Sequence, residues 1–527
     1  MVQQTHSFYQ PHLSPEIPKV IGNKDYKEFR SILERIDTLL VNGAVEAQFV
    51  SLYIKHYRKE LTELLEKEEE VSGAKEKVGK NDSKAPSCPP QLTPRAINRL
   101  QKLARKALRC NIARKLIGGS FRSFTNRLAD SSLFQWFCLI DHLAVVSVPA
   151  KSSLDRYDKL VPEQIVHDLI NDVTIKATQP DTPQEDQVLG LNQPIDIHEA
   201  FIDASCIKAN IHFPVDWVLL RDVILRLIPQ IIIIRNQGLK HRMPPPEDFI
   251  QKINTLCLAM ANCRRKAGAS KKRKRILRLM KKVVKKVRVH AQSYRDLLIG
   301  RYSETSLTEN EMKLIVQRMD KILNQIPQAL KQAHERIIGE RPVNNEDKIL
   351  SLHESEIHVI VRGKAGAEVE YGNSWLLVEQ NNGIIIYSRL IKEQPPADCN
   401  LPIDALEKIN EIYSSYPGAL AGDRGFDSEE VRDFLADKTI YNGICPRDPN
   451  RLKERIKEDR FRQLQKRRSQ IEGRIGLFKN SFLGGLLRSK GFLHRQLGVT
   501  WAILAHNLWC LARLPVLNKE GEQTAAT

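Results

Sequence analysis

The stretch HEAFIDASCIKANIHFP, residues 198–214, decides the fold. Before it the chain reads as helices and linkers. Here β-branched and aromatic residues alternate with polar ones, which is the pattern of a strand. Asp203 lies inside this strand, in FIDAS. A carboxylate in so apolar a segment is costly unless it faces a polar site.

Downstream, helical sequence returns from Val215 to about Leu350, and strand character resumes at Ile357. Ser374–Gln380 and Gly383–Leu390 are joined by Asn381, Asn382 and Gly383, and Asn-Gly is a strong hairpin signal. A helix at ALEKINEIYSSY, a strand at ALAGD, a helix at SEEVRDFLAD and a strand at TIYNGICP follow. A long basic helix then carries Glu472, and a closing helix runs from about Thr500 to Leu514. One strand, a long helical insertion, then strands alternating with helices predict an α/β layer with a mixed sheet.

Upstream, DYKEFRSILERIDTLL is amphipathic and helical, and EKEEEVSGAKEKVGKNDSKAPSCPP reads as a flexible charged linker. Thr93-Pro94 is a helix start, with Thr as N-cap and Pro at the first helical position, and the helix stops at Gly118-Gly119. Shorter helices follow at FRSFTNRLA, SSLFQWFCLIDHL and PEQIVHDLINDVTIKA. Short helices with a basic face suit a helix-turn-helix DNA reader and suit an ordinary helical bundle equally. TQPDTPQEDQVLGLNQP, residues 178–194, reads as a second linker.

The 527-residue chain carries a formal net charge of +19, which favours a polyanionic partner, nucleic acid above all. Its nine cysteines include no C-x-x-C pair, which fits reduced thiols and argues against a disulfide framework or a zinc site. The start of the chain has no signal-peptide pattern. The most apolar stretch, Trp217–Ile234, contains Arg221, Asp222 and Arg226, so it reads as a buried helix and not a membrane span. A cytoplasmic, nucleoid-associated protein is expected.

Three carboxylates stand out. Asp203 lies in its strand, Asp423 at a strand end before Gly425, and Glu472 on a helix in RRSQIEGRIGLFK. Together they could converge on hard divalent cations, which take oxygen ligands. Spacing alone leaves the bland readings open: a satisfied buried Asp, a turn residue and a solvated helix residue. Two neighbouring acids have structural explanations. Asp427 with Glu430 makes a capping-box pattern, and Asp216 precedes a helix and reads as a cap. Arg468, four residues before Glu472, and Lys479, seven after, fall on its helical face and could touch phosphates. Gly473 and Gly476 weaken that helix. They fit close approach of a DNA backbone or tight packing on the sheet.

In the insertion, residues 264–288 hold fourteen Lys or Arg and no acid. Ile276, Met280, Val283 and Val287 make an apolar stripe at helical spacing. This predicts an amphipathic basic helix whose leader, Lys271, Lys272, Arg273 and Lys274, contacts DNA backbone. A solvated outer face is the alternative.

Five segments in order resemble the DDE transposases of bacterial insertion sequences. FIDASCIKANIHFPVDWVLL is similar to their first-Asp strand, and RGKAGAEVEYGNSWLLV to the Gly-Lys and Glu-aromatic-Gly stretch. ALAGDRGFDSEEV is similar to the second-Asp segment, RSQIEGRIGLFKN to the third-acid helix and LGVTWAILAHNLWCLARL to the closing helix. The likeness covers roughly residues 195–515, and 96–175 more loosely. It implies an RNase H-like catalytic fold in which Asp203, Asp423 and Glu472 hold two Mg²⁺ ions, with Mn²⁺ as the substitute. Arg468, Glu472 and Lys479 match the family's Tyr-Arg-Glu-Lys signature, but Gln465 stands where the tyrosine belongs, and Val215 stands where a threonine is favoured.

On this reading the chain divides into a helical region at 1–65, a linker at 66–92 and a helix-turn-helix-like DNA-binding region at 93–177. A linker at 178–194 leads to the catalytic domain at 195–515, with its insertion at 215–350, and to a disordered tail at 516–527. The implied partners are the double-stranded DNA of transposon ends and target, bound by a homo-oligomer, with no membrane. The implied reaction is metal-dependent cleavage and strand transfer. A DNA-binding protein that kept the fold without the chemistry is the alternative reading, and a stand-alone metal-dependent nuclease is a third.

Overall fold

The computed structural model describes residues 16–73, 92–141, 145–179, 189–263, 268–364 and 367–516. Most of the expected first linker, part of the second, residues 264–267 of the basic leader and nearly all of the tail lie outside these residues.

Among the described residues, seven helices precede the first strand. They are α1 (Lys24–Asn42), α2 (Val45–Gly73), α3 (Pro94–Ile117), α4 (Phe121–Asp130), α5 (Ser132–Phe137), α6 (Lys151–Asp158) and α7 (Glu163–Thr178). Thr93 caps α3 as expected, its side chain accepting from Ala96 N–H, with Pro94 in the first turn and Gly118 at the end. The α2 helix runs to Gly73, into what reads as linker from sequence. At the second linker's far end, Asn192 N–H bonds to Pro515 O and Leu191 bridges Val516, so that stretch is tied to the C-terminal end of the described chain.

Strand β1 (Glu199–Lys208) falls where FIDAS predicts it. Five helices follow: α8 (Asp216–Asn236), α9 (Pro246–Ala261), α10 (Ala269–Arg301), α11 (Glu309–Leu323) and α12 (Ile326–Ile337). Their buried side chains form a hydrophobic cluster of their own, drawn wholly from residues 219–352. The apolar run at 217–234 is α8, at the centre of that cluster.

The chain then returns to the sheet with β2 (His358–Lys364), β3 (Ala367–Gln380) and β4 (Ile385–Leu390). After these come α13 (Pro402–Tyr413), β5 (Ala419–Ala421), α14 (Glu429–Asp437) and β6 (Tyr441–Asn442), then α15 (Pro449–Arg455), α16 (Asp459–Arg468), α17 (Ile471–Leu477) and α18 (Phe492–Ala512). The sheet is mixed, in the order β2-β3-β1-β5-β6, with β4 also paired to β3. Strand β1 runs antiparallel to β3 and parallel to β5. The Asn-Gly hairpin forms, with Gly383 in the left-handed region at φ 85. A Cβ there would collide with the Arg474 guanidinium.

Four expectations change. The long basic helix is broken: α16 ends at Arg468, α17 begins at Ile471, and a π-helical turn, Phe478–Phe482, follows. Ser469 and Gln470 sit at the break, and Gly473 and Gly476, both poor helix formers, follow it. A Cβ on either glycine would meet nothing within 4 Å, so sheet packing does not require them. Asp427 does not cap α14; Ser428 does, accepting from Val431 N–H, while buried Asp427 pairs with Arg432 at 2.7 Å. Asp216 makes no cap either. Its carboxylate takes hydrogen bonds from Gln332 (2.7 Å) and Arg336 (3.0 Å) and fastens α8 to α12.

The first helices share one hydrophobic cluster with α18 and with one face of the sheet. Several cations of α3 turn into it and do not form an outer face. Arg109, with its side chain 3% exposed, bonds to Glu46 (2.7 Å) and Asp37 (2.6 Å). Arg114 pairs with Asp158, and buried Lys115 donates to Gly498 O at 2.6 Å. Burial pushes the Lys115 ammonium down to about 7. Removing one member of a buried pair strands the other's charge. Glu46→Ala should therefore lower the unfolding free energy by about 3 kcal/mol in urea titration, and a loss under about 0.5 kcal/mol, typical of exposed sites, would contradict this role.

Candidate active site

Side chains alternate across a strand. In β1, Ala200 and Ile202 enter one hydrophobic cluster, while Phe201 and Ile207 enter the other. Asp203 and Ser205 share the face of Phe201 and Ile207, and this face meets α16, α17 and the π-helical turn. The Arg467 guanidinium lies 4.7 Å over the Phe201 ring, Lys479 Nζ is 2.6 Å from Ser205 Oγ, and Trp375 stacks on Phe478.

The register of β1 with β5 pairs Phe201 with Ala421. Two residues further along each chain stand Asp203, still within β1, and Asp423, just past the end of β5. Asp203 is buried, and Ala204 N–H donates to its Oδ1 at 2.8 Å. Asp423 follows the end of β5, where Gly425 N–H donates to Oδ1 at 2.8 Å. Arg468, from the last turn of α16, comes within 3.6 Å of the other oxygen. The Arg468 Nε–H is buried without an acceptor among the described residues.

Burial pushes the Asp203 carboxyl up to about 6, against the Ala204 amide; the charges of Asp423 and Glu472 push it further up, and Arg468 opposes them. The charges of two other acids are thus felt at Asp203. Glu472 is nonetheless exposed in the first turn of α17. Among the described residues, no three His, Cys, Asp or Glu side chains are grouped so as to hold a metal ion. Lys479 points at β1, donating to Ser205 Oγ and to Cys206 O at 2.7 Å. Arg468, Glu472 and Lys479 therefore do not share one helical face, because the chain between them is not one helix.

The α16–α17 segment is docked by a buried ion cluster that sequence patterns do not reveal. Glu379, 2% exposed in β3, pairs with Arg467 at 2.7 Å and meets Arg474 at 4.0 Å. Burial raises the Glu379 carboxyl, and the two arginines counter it. In the sequence, the one hint of this cluster is an acid in an apolar strand, two residues before an Asn-Asn-Gly turn. Asp398 is a further acid beside the Asp423 turn: a Cβ on Gly425 would stand 3.3 Å from Asp398 Oδ2 and 2.9 Å from Asp423 Oδ1.

The basic leader opens α10. Lys271, Lys272 and Arg273 are exposed, while Lys274 pairs with Glu340 at 2.9 Å. Ile276, Met280, Val283 and Val287 are buried as the stripe predicts. Exposed Arg275, Arg278, Lys282, Lys285 and Lys286 continue the cationic face.

Asp203 in β1 and Asp423 just past β5, with Arg468 3.6 Å from the latter, offer the hard oxygen donors that divalent cations prefer. Residues 373–508 match the family described as Transposase DDE domain. The match takes in Asp423, Arg468, Glu472 and Lys479 and begins after Asp203. It supports the likeness to DDE-type insertion-sequence transposases, a family that uses divalent metal ions and acts on DNA. No curated protein and no solved structure matches the chain. None of the described helices is long and apolar enough to cross a membrane.

The raised Asp203 carboxyl has a consequence for stability. The folded chain keeps this proton up to about pH 6, whereas an unburied aspartate loses it near 3.8, so the associated stability is lost as pH rises through that window. Asp203→Asn should be more stable than wild type at pH 7.5 by roughly 3 kcal/mol, with the gap closing toward pH 4. A gap that does not vary with pH in denaturant titrations would contradict the assignment.

Proposed function

We propose that this protein is a transposase that binds the ends of an insertion sequence, cuts them and joins them to target DNA. The reading is supported by Asp203 on β1 and Asp423 just after the neighbouring β5, the charge of the second felt at the first, inside a chain whose residues 373–508 match the transposase DDE domain. The strand order supports an RNase H-like core, since β1, β3 and β4 form an antiparallel set and β5 and β6 lie parallel to β1 on its other side.

Asp203 and Asp423 would be the main ligands of the divalent cations, Mg²⁺ or Mn²⁺, and Glu472 would complete the set. Such ions, when bound, supply the activated water and the positive charge that a phosphoryl-transfer step needs. The chain's own residues do the rest. Arg468 orients Asp423 and offers charge to a phosphate. Lys479 holds the β1 segment after Asp203. In the first step, water oxygen bonds to phosphorus at the element's end and the bond to the 3′ oxygen breaks, freeing a 3′ hydroxyl. In the second, that hydroxyl attacks a target phosphorus and displaces a target 3′ oxygen. Cutting two ends calls for at least a dimer on DNA. The α10 leader and the helices at 93–177 supply duplex contacts.

Cleavage and strand transfer of the DNA flanking the gene, assayed with Mg²⁺, tests this directly. Wild type should cut and join, and Asp203→Asn should do neither. Cutting that survives Asp203→Asn would remove the catalytic assignment. Changing Lys271, Lys272, Arg273 and Lys274 to Gln should weaken duplex binding and flatten its salt dependence. The log–log slope should fall by about 0.9 for each phosphate that the leader no longer neutralises; an unchanged slope would exclude the leader from the interface.

A further inference from the structure

The β5–β6 pairing is very short. Only Ala419 with Tyr441 and Leu420 with Asn442 are in register, and β5 itself ends at Ala421. The Gly422–Asp423 peptide therefore lies just beyond the regular ladder, although it sets where the Asp423 carboxylate points. Something must hold it. Cys445 N–H reaches Gly422 O at 3.1 Å, and Gly443 N–H reaches Leu420 O at 2.8 Å. A further partner is a side chain. Gln465 Nε2 lies 2.6 Å from Gly443 O and 3.1 Å from Gly422 O.

We infer that Gln465 is a positioning residue for the metal site, with its carboxamide acting as one more rung between the ends of β5 and β6. An amide nitrogen carries two protons and can serve two carbonyls at once. A tyrosine, the residue the transposase signature places here, has a single O–H and cannot do so. The departure from the signature is thus matched to two acceptors on the sheet. Both acceptor residues are glycines at close quarters. A Cβ on Gly422 would come within 2.9 Å of Ile202, and one on Gly443 within 3.0 Å of Leu464 and of Leu420 O. Side chains at either place would push the strand ends apart and out of reach of Gln465.

The same helix face holds the carboxylate itself. Arg468, one turn after Gln465, approaches Asp423 Oδ2. On the far side of the turn, Arg447 donates to Arg424 O (2.9 Å) and Gly425 O (2.7 Å). The Asp423 turn is therefore gripped before and after the acid. Gln465 is bonded to the peptide that precedes the acid, so its effect is on ligand geometry.

The inference rests on Asp203 and Asp423 being metal ligands, and the test separates the two. Mn²⁺ binding to the full-length chain is followed by the electron paramagnetic resonance signal of free Mn²⁺, in wild type, Asp423→Asn, Gln465→Leu and Gln465→Glu. The two Gln465 variants keep the side chain's size and lose both donor protons. Both should unfold at temperatures close to wild type yet bind Mn²⁺ about ten-fold more weakly, the scale on which groups supporting a metal ligand act. Backbone amides at 422–425 should exchange hydrogen faster in whichever variant folds. Mn²⁺ affinity within two-fold of wild type in a folded Gln465 variant overturns the inference while leaving the metal site standing. Asp423→Asn binding Mn²⁺ as well as wild type removes the metal site itself, and the role of Gln465 with it.

Discussion

The parallel pairing of β1 with β5 holds Phe201 beside Ala421, and two residues later each run of chain carries an aspartate, Asp203 in β1 and Asp423 just past the end of β5. On its other edge β1 is antiparallel to β3 along nearly its whole length. A strand hydrogen-bonded on both sides cannot slip by one residue, because every side chain would change face. The face of Asp203 is therefore as firmly set as the core on which Phe201 and Ile207 rest. Asp423 has less backbone support, since β5 is three residues long, and its place depends on side chains from α16 and on Arg447.

The helices that cover this face are held by charge buried against aromatic rings. Arg467 spans Glu379, Gln380 O, Asn381 O and the Phe201 ring, so one side chain joins α16 to β1 and to the β3–β4 hairpin. Arg474 presses against Gly383 in the same hairpin. Such a network is strong only while complete, because a buried charge left without its partner is expensive. It places α17, and hence Glu472, at the margin of the aspartate pair, near enough for its charge to be felt at Asp203 and still exposed.

Much of this was legible in the residues. The strand around Asp203, the Asn-Gly hairpin, the Thr93-Pro94 helix start and the apolar stripe of the basic helix follow from local periodicity and turn chemistry, which act over a few residues. What was not legible depends on partners distant in the chain. Arg109 meets Glu46 across 63 residues, Arg467 meets Glu379 across 88, and Lys115 meets Gly498 across 383. Basic residues that read as a nucleic-acid face in α3 are in part internal ties for that reason. The break between α16 and α17 was hidden because Gly473 and Gly476 weaken a helix without saying where it ends. Asp216 and Asp427 read as helix caps from local sequence, but their partners are Gln332, Arg336 and Arg432 and not helix ends.

The central claim is that Asp203 and Asp423 share a divalent cation. Anomalous diffraction from crystals of the full chain grown with Mn²⁺ and a DNA end tests it most directly. An anomalous peak bound by carboxylate oxygens of both aspartates, with Glu472 drawn in from the margin, is expected. A Mn²⁺ peak elsewhere, with Asp203 and Asp423 making only protein contacts, would contradict it.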